Sequence, residues 1–215
     1  MAKQNINCFS LFIFSSYSNY PIIKTYKITP ATMTINFDPF PILESERLQL
    51  RKVTNDDVNE VFELRSNPET MKYIPRPLAK TKEDALEHIR TTNLATTANQ
   101  AINWAITLKE DNKLIGMICL IRMQPEHFRS ETGYILHPDQ RGKGIMNEAL
   151  KTVIDYAFDT IKFHSLVAVM DAENTASAKV VLKQGFVREG QFKQNEFYNG
   201  KFLDTDHYSL LNSKH

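Results

Sequence analysis

Three elements in direct succession, a strand, a glycine-rich loop and a helix, are encoded between residues 131 and 158 and limit the folds open to this chain. The segment ETGYILH (131–137) predicts a strand, which Pro138 and Asp139 end. From Met146 onward the period changes, and apolar residues recur at helical spacing, at positions 146, 149, 150, 153, 154, 157 and 158. A strand that feeds an amphipathic helix in this way indicates a layered α/β protein.

The rest of the chain supplies further elements for one sheet. Residues 54–67 and 81–98 predict helices with polar N-caps, and NTASAKVVLKQGF predicts a third helix that ends at Gly185. The prolines at 68, 75 and 77 predict a loop between the first two helices. Asn199-Gly200 lies between aromatic segments and predicts a hairpin. Four more strands are predicted: SERLQLRKV, INWAITLK, KLIGMICLIR and HSLVAVMD. The last of these is nearly all apolar, so we expect it in the interior of the sheet.

The composition excludes several classes of protein. The formal net charge of +1 over 215 residues argues against nucleic acid or a polycation as partner. No apolar run approaches the roughly 20 residues that a membrane-spanning helix needs. Cys8 and Cys119 are too few for a disulfide framework or a cysteine zinc site, so we expect a reducing, cytoplasmic compartment.

The first 32 residues differ from the remainder. They contain lysines but no acid, since the first acidic residue is Asp38. The apolar segment CFSLFIF (8–14) is short for a signal peptide and is not followed by a clean small-residue cleavage site. We therefore expect a poorly ordered extension over residues 1–32 and one domain over 33–215, with Met33 as a candidate start.

The loop ahead of the helix has the composition of an anion site. Gly142 and Gly144 permit turn dihedrals and let a ligand approach the backbone closely. The helix N-terminus adds unpaired N–H groups and about half a positive charge. Arg141 and Lys143 add full charges, so the loop suits a pyrophosphate. A plain glycine turn with surface cations is the alternative.

Two common nucleotide motifs do not fit this loop. A Walker loop is excluded because Ile145 follows Gly144, where the motif requires lysine. A dinucleotide fingerprint is excluded because Asn147 occupies the position of its third glycine.

The ordered set of segments over roughly residues 43–211 resembles the GNAT superfamily of acyl-CoA-dependent N-acetyltransferases. RGKGIMNEAL is similar to the superfamily loop Q/R-x-x-G-x-G/A, with Arg141 first, Gly144 fourth and Met146 in place of the small sixth residue. Further segments resemble the branch of ribosomal-protein N-terminal acetyltransferases: SERLQLRKVTNDD, NPETMKYI, LIGMICL, GYIL and NTASAKVVLKQGF.

This resemblance implies a single α+β domain, in which a central, mixed, mostly antiparallel and twisted sheet is flanked by helices and holds acetyl-CoA between splayed strands. It implies that the backbone of Tyr134, Ile135 and Leu136 pairs with the pantetheine amides, and that Asn174 bonds the pantetheine or a nearby water. The pyrophosphate is expected at the loop and the first helical turn: Arg141, Gly142, Lys143, Gly144, Ile145, Met146 and Asn147.

The resemblance also implies direct transfer of the acetyl group from acetyl-CoA to an amine. Many relatives carry a glutamate and a tyrosine at positions that correspond here to Val169 and Val181, so these two groups are missing. Glu131 is the remaining candidate base, and a solvated glutamate at a strand end is its alternative. Ser177 is a candidate ligand of the CoA thiolate, and a serine in a first helical turn is its alternative. Catalysis by proximity and backbone polarisation would need no side-chain acid.

Two classes of function follow. The first is an N-acetyltransferase that acts on a primary amine, either a protein N-terminus or a small amine, as a monomer or homodimer. The second is a CoA-binding sensor or partner module with little turnover. No metal is predicted, because His127, His137 and His164 lack a ligand partner at suitable spacing.

Overall fold

The computed structural model describes residues 33–213, so the expected extension over residues 1–32 lies outside the described residues. Eight strands occur in this range: β1 Leu43–Glu44, β2 Leu48–Lys52, β3 Ile102–Leu108, β4 Asp111–Gln124, β5 Arg129–Leu136, β6 Ser165–Asp171, β7 Val187–Tyr198 and β8 Lys201–Leu211. Five α-helices accompany them: α1 Val58–Ser66, α2 Pro68–Met71, α3 Lys82–Thr97, α4 Ile145–Asp155 and α5 Thr175–Lys183.

The strands form one sheet in the order β1-β2-β3-β4-β5-β6-β8-β7. All neighbouring pairs are antiparallel except β5 and β6, which run parallel. The expected mixed, mostly antiparallel sheet is therefore confirmed. β6 lies inside it between β5 and β8, as its apolar sequence predicts.

A separate core covers each face of the sheet. Helices α4 and α5 pack on one face, where Trp104, Leu150 and Leu166 are fully buried. Helices α1 and α3 pack on the other face, against β4 and β5, and bury Val61 and Ile89 there. The central strands are consequently covered on both sides, and only a separation between strands can open a path through the sheet.

Local signals are mostly confirmed at the ends of the helices. Thr81 caps α3 by accepting a hydrogen bond of 3.3 Å from the Asp84 N–H, and Asn174 caps α5. Gly185 follows the C-cap of α5 with a φ of +87°, as expected for a C′ glycine. Asn199 and Gly200 both have positive φ in the β7–β8 turn, which suits a hairpin.

The structure corrects three boundaries. The loop predicted from the prolines contains the short helix α2, in which Pro68 occupies the first helical position and the Asn67 side chain caps the N-terminus. Helix α4 begins at Ile145, one residue earlier than its apolar pattern predicts. It ends at Asp155 and continues as a π-helical turn over Tyr156–Ile161. No helix among residues 33–213 is long and apolar enough to cross a membrane.

Candidate active site

The central strands β5 and β6 separate after three paired residues. Their parallel pairing runs from Arg129–Ser165 to Glu131–Val167. Beyond this point β5 stays paired with β4 as far as Leu136, and β6 stays paired with β8 as far as Asp171. A gap therefore opens inside the sheet from Thr132 onward, as expected for splayed strands.

Backbone polar groups of β5 face this gap. The His137 N–H donates to the Ile115 carbonyl oxygen on β4 at 2.9 Å. Because backbone groups of successive strand residues point to opposite sides, the N–H and C=O groups of Thr132, Tyr134 and Leu136 point away from β4 and into the gap. By the same alternation, the backbone groups of Ile135 face β4, so the prediction that Ile135 pairs with the pantetheine is wrong. An amide-containing chain bound in the gap would therefore meet the backbone N–H and C=O groups of Thr132, Tyr134 and Leu136.

The glycine loop joins β5 to α4 and ends as an open helix terminus. Gly142 and Gly144 have φ of +76° and +77°, a conformation that favours glycine. The first helical bond runs from the Glu148 N–H to the Gly144 carbonyl oxygen at 3.1 Å. The N–H groups of the three preceding residues, 145–147, consequently lie at the open end of the helix, where no side chain caps them. Residues 141–144 are all exposed, so this end is open to an anion.

Arg47 braces the loop, a contact that sequence reasoning missed. Its Nη1 donates to the Lys143 carbonyl oxygen at 3.2 Å, and its Nε donates to Glu148 Oε2 at 2.7 Å. Burial alone would raise the pKa of Glu148. Hydrogen bonds from Arg47 and Ser45 outweigh that effect and lower it. Glu148 therefore stays ionised, and the loop is tied to the segment between β1 and β2.

Asn174 and Ser177 lie at the start of α5, beside the gap. Asn174 Oδ1 accepts the Ser177 N–H at 3.1 Å, which leaves the Asn174 Nδ2 amide, for which no hydrogen bond is found within residues 33–213, as the group free to bind a ligand. The Ser177 carbonyl oxygen accepts a hydrogen bond of 3.1 Å from the Tyr134 hydroxyl. Burial raises the pKa of Tyr134, so this hydroxyl keeps its proton.

Glu131 lies at the point where β5 and β6 separate, and it is ion-paired. Arg122 Nη1 donates to Oε1 at 2.9 Å and to Oε2 at 2.8 Å. Arg122 occupies an irregular step of β4 with a φ of +46°, a backbone conformation that is strained for arginine. The sequence predicted Glu131 as a candidate base but did not reveal this partner, which binds both carboxylate oxygens.

One cavity of about 380 Å³ connects the two faces of the sheet at the gap. On the α4–α5 side its wall includes Tyr134, Asn174 and Ser177, and on the α1–α3 side it includes Glu131. Ile135 lines it as well, so the cavity brings together five of the site residues predicted from the sequence. The glycine loop is not part of this wall.

Several further lining residues carry reactive or polar groups that the sequence did not single out. The Cys119 Sγ donates to the Gly133 carbonyl oxygen at 3.2 Å, and burial raises the pKa of this thiol to about 12. Thr132 is only 3% exposed, and its Oγ1 finds no hydrogen-bond partner among residues 33–213. Desolvation lowers the pKa of His88 to about 4, with a smaller contribution from Arg65, so this imidazole is neutral at pH 7. The burial of these side chains comes from residues that are distant in the sequence, so no local sequence pattern could reveal them.

These features fit acetyl-CoA. The gap offers backbone partners to the pantetheine amides, the open terminus of α4 offers N–H groups to the pyrophosphate, and the orphaned Thr132 hydroxyl offers a donor inside the cavity. No cluster of three or more His, Cys, Asp or Glu side chains that could hold a metal ion occurs in the described part of the chain. The arrangement is that of an acyl-CoA-dependent acetyltransferase.

Comparison with known proteins gives the family. Residues 47–187 match the family of acetyltransferase (GNAT) domains, so the chain belongs to the GNAT acetyltransferases, which use acetyl-CoA. It is 33% identical to an uncharacterized N-acetyltransferase, YoaA, of Bacillus subtilis, over 80% of this chain and 97% of the relative. It is 28% identical to the ribosomal-protein-serine acetyltransferase of Escherichia coli, over 78% and 94% of the two chains. It is 25% identical to the spermidine N(1)-acetyltransferase of Vibrio cholerae, over 80% and 96%.

Solved structures show the same fold. A GNAT-family acetyltransferase of Bacillus anthracis superposes with a TM-score of 0.72 at 30% identity and covers 80% of this chain and 98% of its own. A ribosomal α-N-protein acetyltransferase determined in complex with coenzyme A superposes with a TM-score of 0.73 at 23% identity, over 81% of this chain and all of its own.

Proposed function

We propose that this acetyltransferase transfers its acetyl group to a primary amine, on a protein N-terminus or on a small molecule, by direct attack. The observation that carries the proposal is the single cavity that joins the gap between β5 and β6 to the α1–α3 side of the sheet. Acetyl-CoA supplies a thioester carbonyl at the gap. An amine arriving from the other side forms the C–N bond as the C–S bond breaks, loses one proton, and the departing thiolate gains one.

Each candidate residue has a distinct role in this proposal. The backbone groups of Tyr134 and Leu136, which face the gap, pair with the pantetheine, and the loop and first turn of α4, residues 141–147, hold the pyrophosphate. The Asn174 Nδ2 donates to the pantetheine or a bound water. Glu131 accepts the proton of the amine, and the Ser177 hydroxyl hydrogen-bonds the departing thiolate.

The protonated state of Cys119 supports direct attack over a covalent intermediate. A cysteine nucleophile acts as its thiolate, and a thiol with a pKa of about 12 is almost entirely protonated near pH 7. Cys119→Ala should therefore keep most of the turnover. Mass spectrometry of the enzyme mixed with acetyl-CoA alone should detect no acetylated Cys119, and a stoichiometric acetyl adduct there would contradict direct attack.

The relatives leave the acceptor open, because one is a ribosomal-protein-serine acetyltransferase and another a spermidine N(1)-acetyltransferase. A second candidate function, a CoA-binding module with little turnover, is favoured by Val169 and Val181 at two positions where acid–base groups are expected, and by the pairing of Glu131 with Arg122.

One experiment separates the two functions. The protein is incubated with acetyl-CoA and a mixed panel of peptides, amino acids and polyamines, products are read by mass spectrometry, and CoA binding is measured by calorimetry. Acetylated amines support the enzyme. Tight CoA binding with no product, even after hours, supports the binding module.

We further propose a cytoplasmic protein, supported by its two cysteines, in which residues 1–32 are an extension that the domain does not require. A protein that begins at Met33 should keep the melting temperature and CoA affinity of the full chain. A clear loss of either would show that the extension contributes to the domain.

A further inference from the structure

The wall of the cavity on the α1–α3 side carries two arginines for which no ion pair is found within residues 33–213. Arg65 at the end of α1 and Arg76 in the segment after α2 both line it, and His88 of α3 lies beside them. Because His88 is neutral near pH 7, the charge of this wall is that of the two guanidinium groups.

Arg65 has no counterion in the structure. The side chain is half-buried, and neither an ion pair nor a side-chain hydrogen bond of its guanidinium is found within residues 33–213. Desolvation and the nearby charge of Arg76 both lower the pKa of Arg65. The Arg76 guanidinium donates to the neighbouring Pro75 carbonyl oxygen at 2.9 Å, its one side-chain hydrogen bond within the described residues. A partly buried cation beside a second cation is unfavourable unless an anion joins them.

Three carboxylates also line the cavity, on strands β5, β6 and β7 rather than on the helices of this wall. Glu131 is held by Arg122, and Asp171 Oδ1 accepts the Glu173 N–H at 2.8 Å. The charge of Glu196 acts on Arg122 as well. Arg65 and Arg76 are thus the cations of this cavity for which no ion pair is found within residues 33–213, so close to this wall a polycationic amine would be repelled and an anionic group attracted.

We propose that the acceptor amine carries an anionic group, a carboxylate or a phosphate, which Arg65 and Arg76 bind while the amine faces the gap between β5 and β6. Two guanidinium groups provide several N–H donors in planar forks, and these match the oxygens of a carboxylate or phosphate. This inference rests on the proposed amine acetylation and names the chemical class of the acceptor.

Matched acceptors test the proposal. Serine and serinamide differ in the carboxylate, and phosphoethanolamine and ethanolamine differ in the phosphate; peptide pairs with Asp or Asn beside the terminal amine extend the set, and spermidine represents polycations. We expect the anionic member of at least one pair to exceed its neutral partner by about tenfold or more in kcat/KM, since hydrogen bonds between charged groups are stronger than those between neutral groups. The pair that responds distinguishes carboxylate from phosphate.

Variants tie that preference to the wall. Arg65→Gln should reduce the ratio within a responding pair to near unity, and Arg65→Lys should restore part of it. Arg90→Gln is the matched control, because Arg90 lies on the exposed side of α3, outside this cavity, and pairs with Glu87. Melting temperatures and CoA affinities of all variants report whether the fold is intact.

The outcomes separate the two proposals. Preference for neutral or cationic acceptors, or a ratio that Arg65→Gln leaves unchanged in a folded protein, overturns the anionic acceptor while amine acetylation stands. If no amine is acetylated, the proposed function fails, and a binding measurement then tests the anion site on its own. Calorimetry with CoA present should show that serine or phosphoethanolamine binds the parent protein more tightly than the Arg65→Gln variant. Equal or undetectable binding overturns the anion site.

Discussion

The Tyr134 hydroxyl donates a hydrogen bond of 3.1 Å to the Ser177 carbonyl oxygen. This bond links β5 to α5 at a level where β5 has already separated from β6. The missing pairing between β5 and β6 is thus not the only feature that shapes the gap, because the Tyr134 side chain also links β5 to α5. Burial keeps this phenol protonated, so it can donate the hydrogen bond.

Tyr134→Phe should loosen this wall while retaining the ring. The free energy of unfolding should fall by about 1 kcal/mol, the usual net contribution of one hydrogen bond, and CoA affinity should fall because α5 no longer holds Asn174 and Ser177 in place. Denaturant titration and calorimetry measure the two effects. Tyr156→Phe is the control, since no hydrogen bond of that half-buried hydroxyl is found within residues 33–213. Equal CoA affinity in both variants would show that the tie does not shape the site.

Local features of the site could be predicted from the sequence, and long-range ones could not. Gly142, Gly144 and the Asn174 cap act on the backbone of neighbouring residues, so short sequence segments are enough to predict their roles. Arg47 and Glu148 are 101 residues apart, and only the folded sheet brings them together.

The wall of the cavity on the α1–α3 side was the least predictable part of the candidate site. Arg65, Arg76 and His88 come from three separate segments, and each alone has the pattern of an ordinary surface residue of a helix or loop. Arg122 reaches Glu131 because an irregular step in β4 redirects its side chain, and no residue pattern marked that step.

The unpartnered hydroxyl of Thr132 gives opposite expectations for stability and function. Thr132→Val removes a buried polar atom that has no hydrogen bond, so the free energy of unfolding should stay equal or rise. If the hydroxyl donates to acetyl-CoA, CoA or acetyl-CoA affinity should fall at the same time. Thr107→Val is the control, because Thr107 is equally buried on β3 but donates to the Gln49 carbonyl oxygen at 3.0 Å, outside the cavity. Unchanged affinity in Thr132→Val would remove Thr132 from the binding site.

Glu131→Gln tests whether the Glu131 carboxylate acts as a general base or serves only to hold Arg122. A base matters most where the amine is protonated, so turnover should fall far more at low pH than at high pH. Arg122→Gln is the partner variant, because it removes the same ion pair but leaves the carboxylate. Rates of both variants across a pH series decide the role. If the two lose similar activity at every pH, the carboxylate serves to hold Arg122.

The neutral His88 predicts a loss of stability in mild acid. Its pKa is about 4 in the folded protein against an ordinary value of 6.5, so the unfolded chain binds a proton between these two values and the folded chain does not. Stability from this group is complete above pH 6.5 and declines as the pH falls toward 4, by up to about 3 kcal/mol. Denaturant titrations from pH 7.5 to 4 on the parent and on His88→Gln measure the difference. Parallel curves would show that His88 titrates in the folded protein as it does in the unfolded chain.

The glycine loop makes the sharpest demand on backbone conformation. A side chain at Gly144 has room, since its Cβ would lie 3.6 Å from Arg47 Nη2, but the φ of +77° would cost roughly 1–2 kcal/mol. It would also project beside the N–H groups of the first turn of α4, where the pyrophosphate is proposed to bind. Gly144→Val should therefore weaken CoA binding severely while the exposed loop leaves the fold intact.

Gly200→Val is the matched control for that strain, because Gly200 has a φ of +81° in the β7–β8 turn with no atom within 4 Å of an added Cβ. It should lose comparable stability and bind CoA like the parent. Lys143→Ala should cost less affinity than Gly144→Val, since the backbone makes most of the contacts, and its penalty should shrink as salt rises. Calorimetry with CoA and dephospho-CoA at two salt concentrations resolves these effects. If folded Gly144→Val bound CoA as tightly as Gly200→Val, the loop would be only a turn, and the pyrophosphate would have to bind elsewhere.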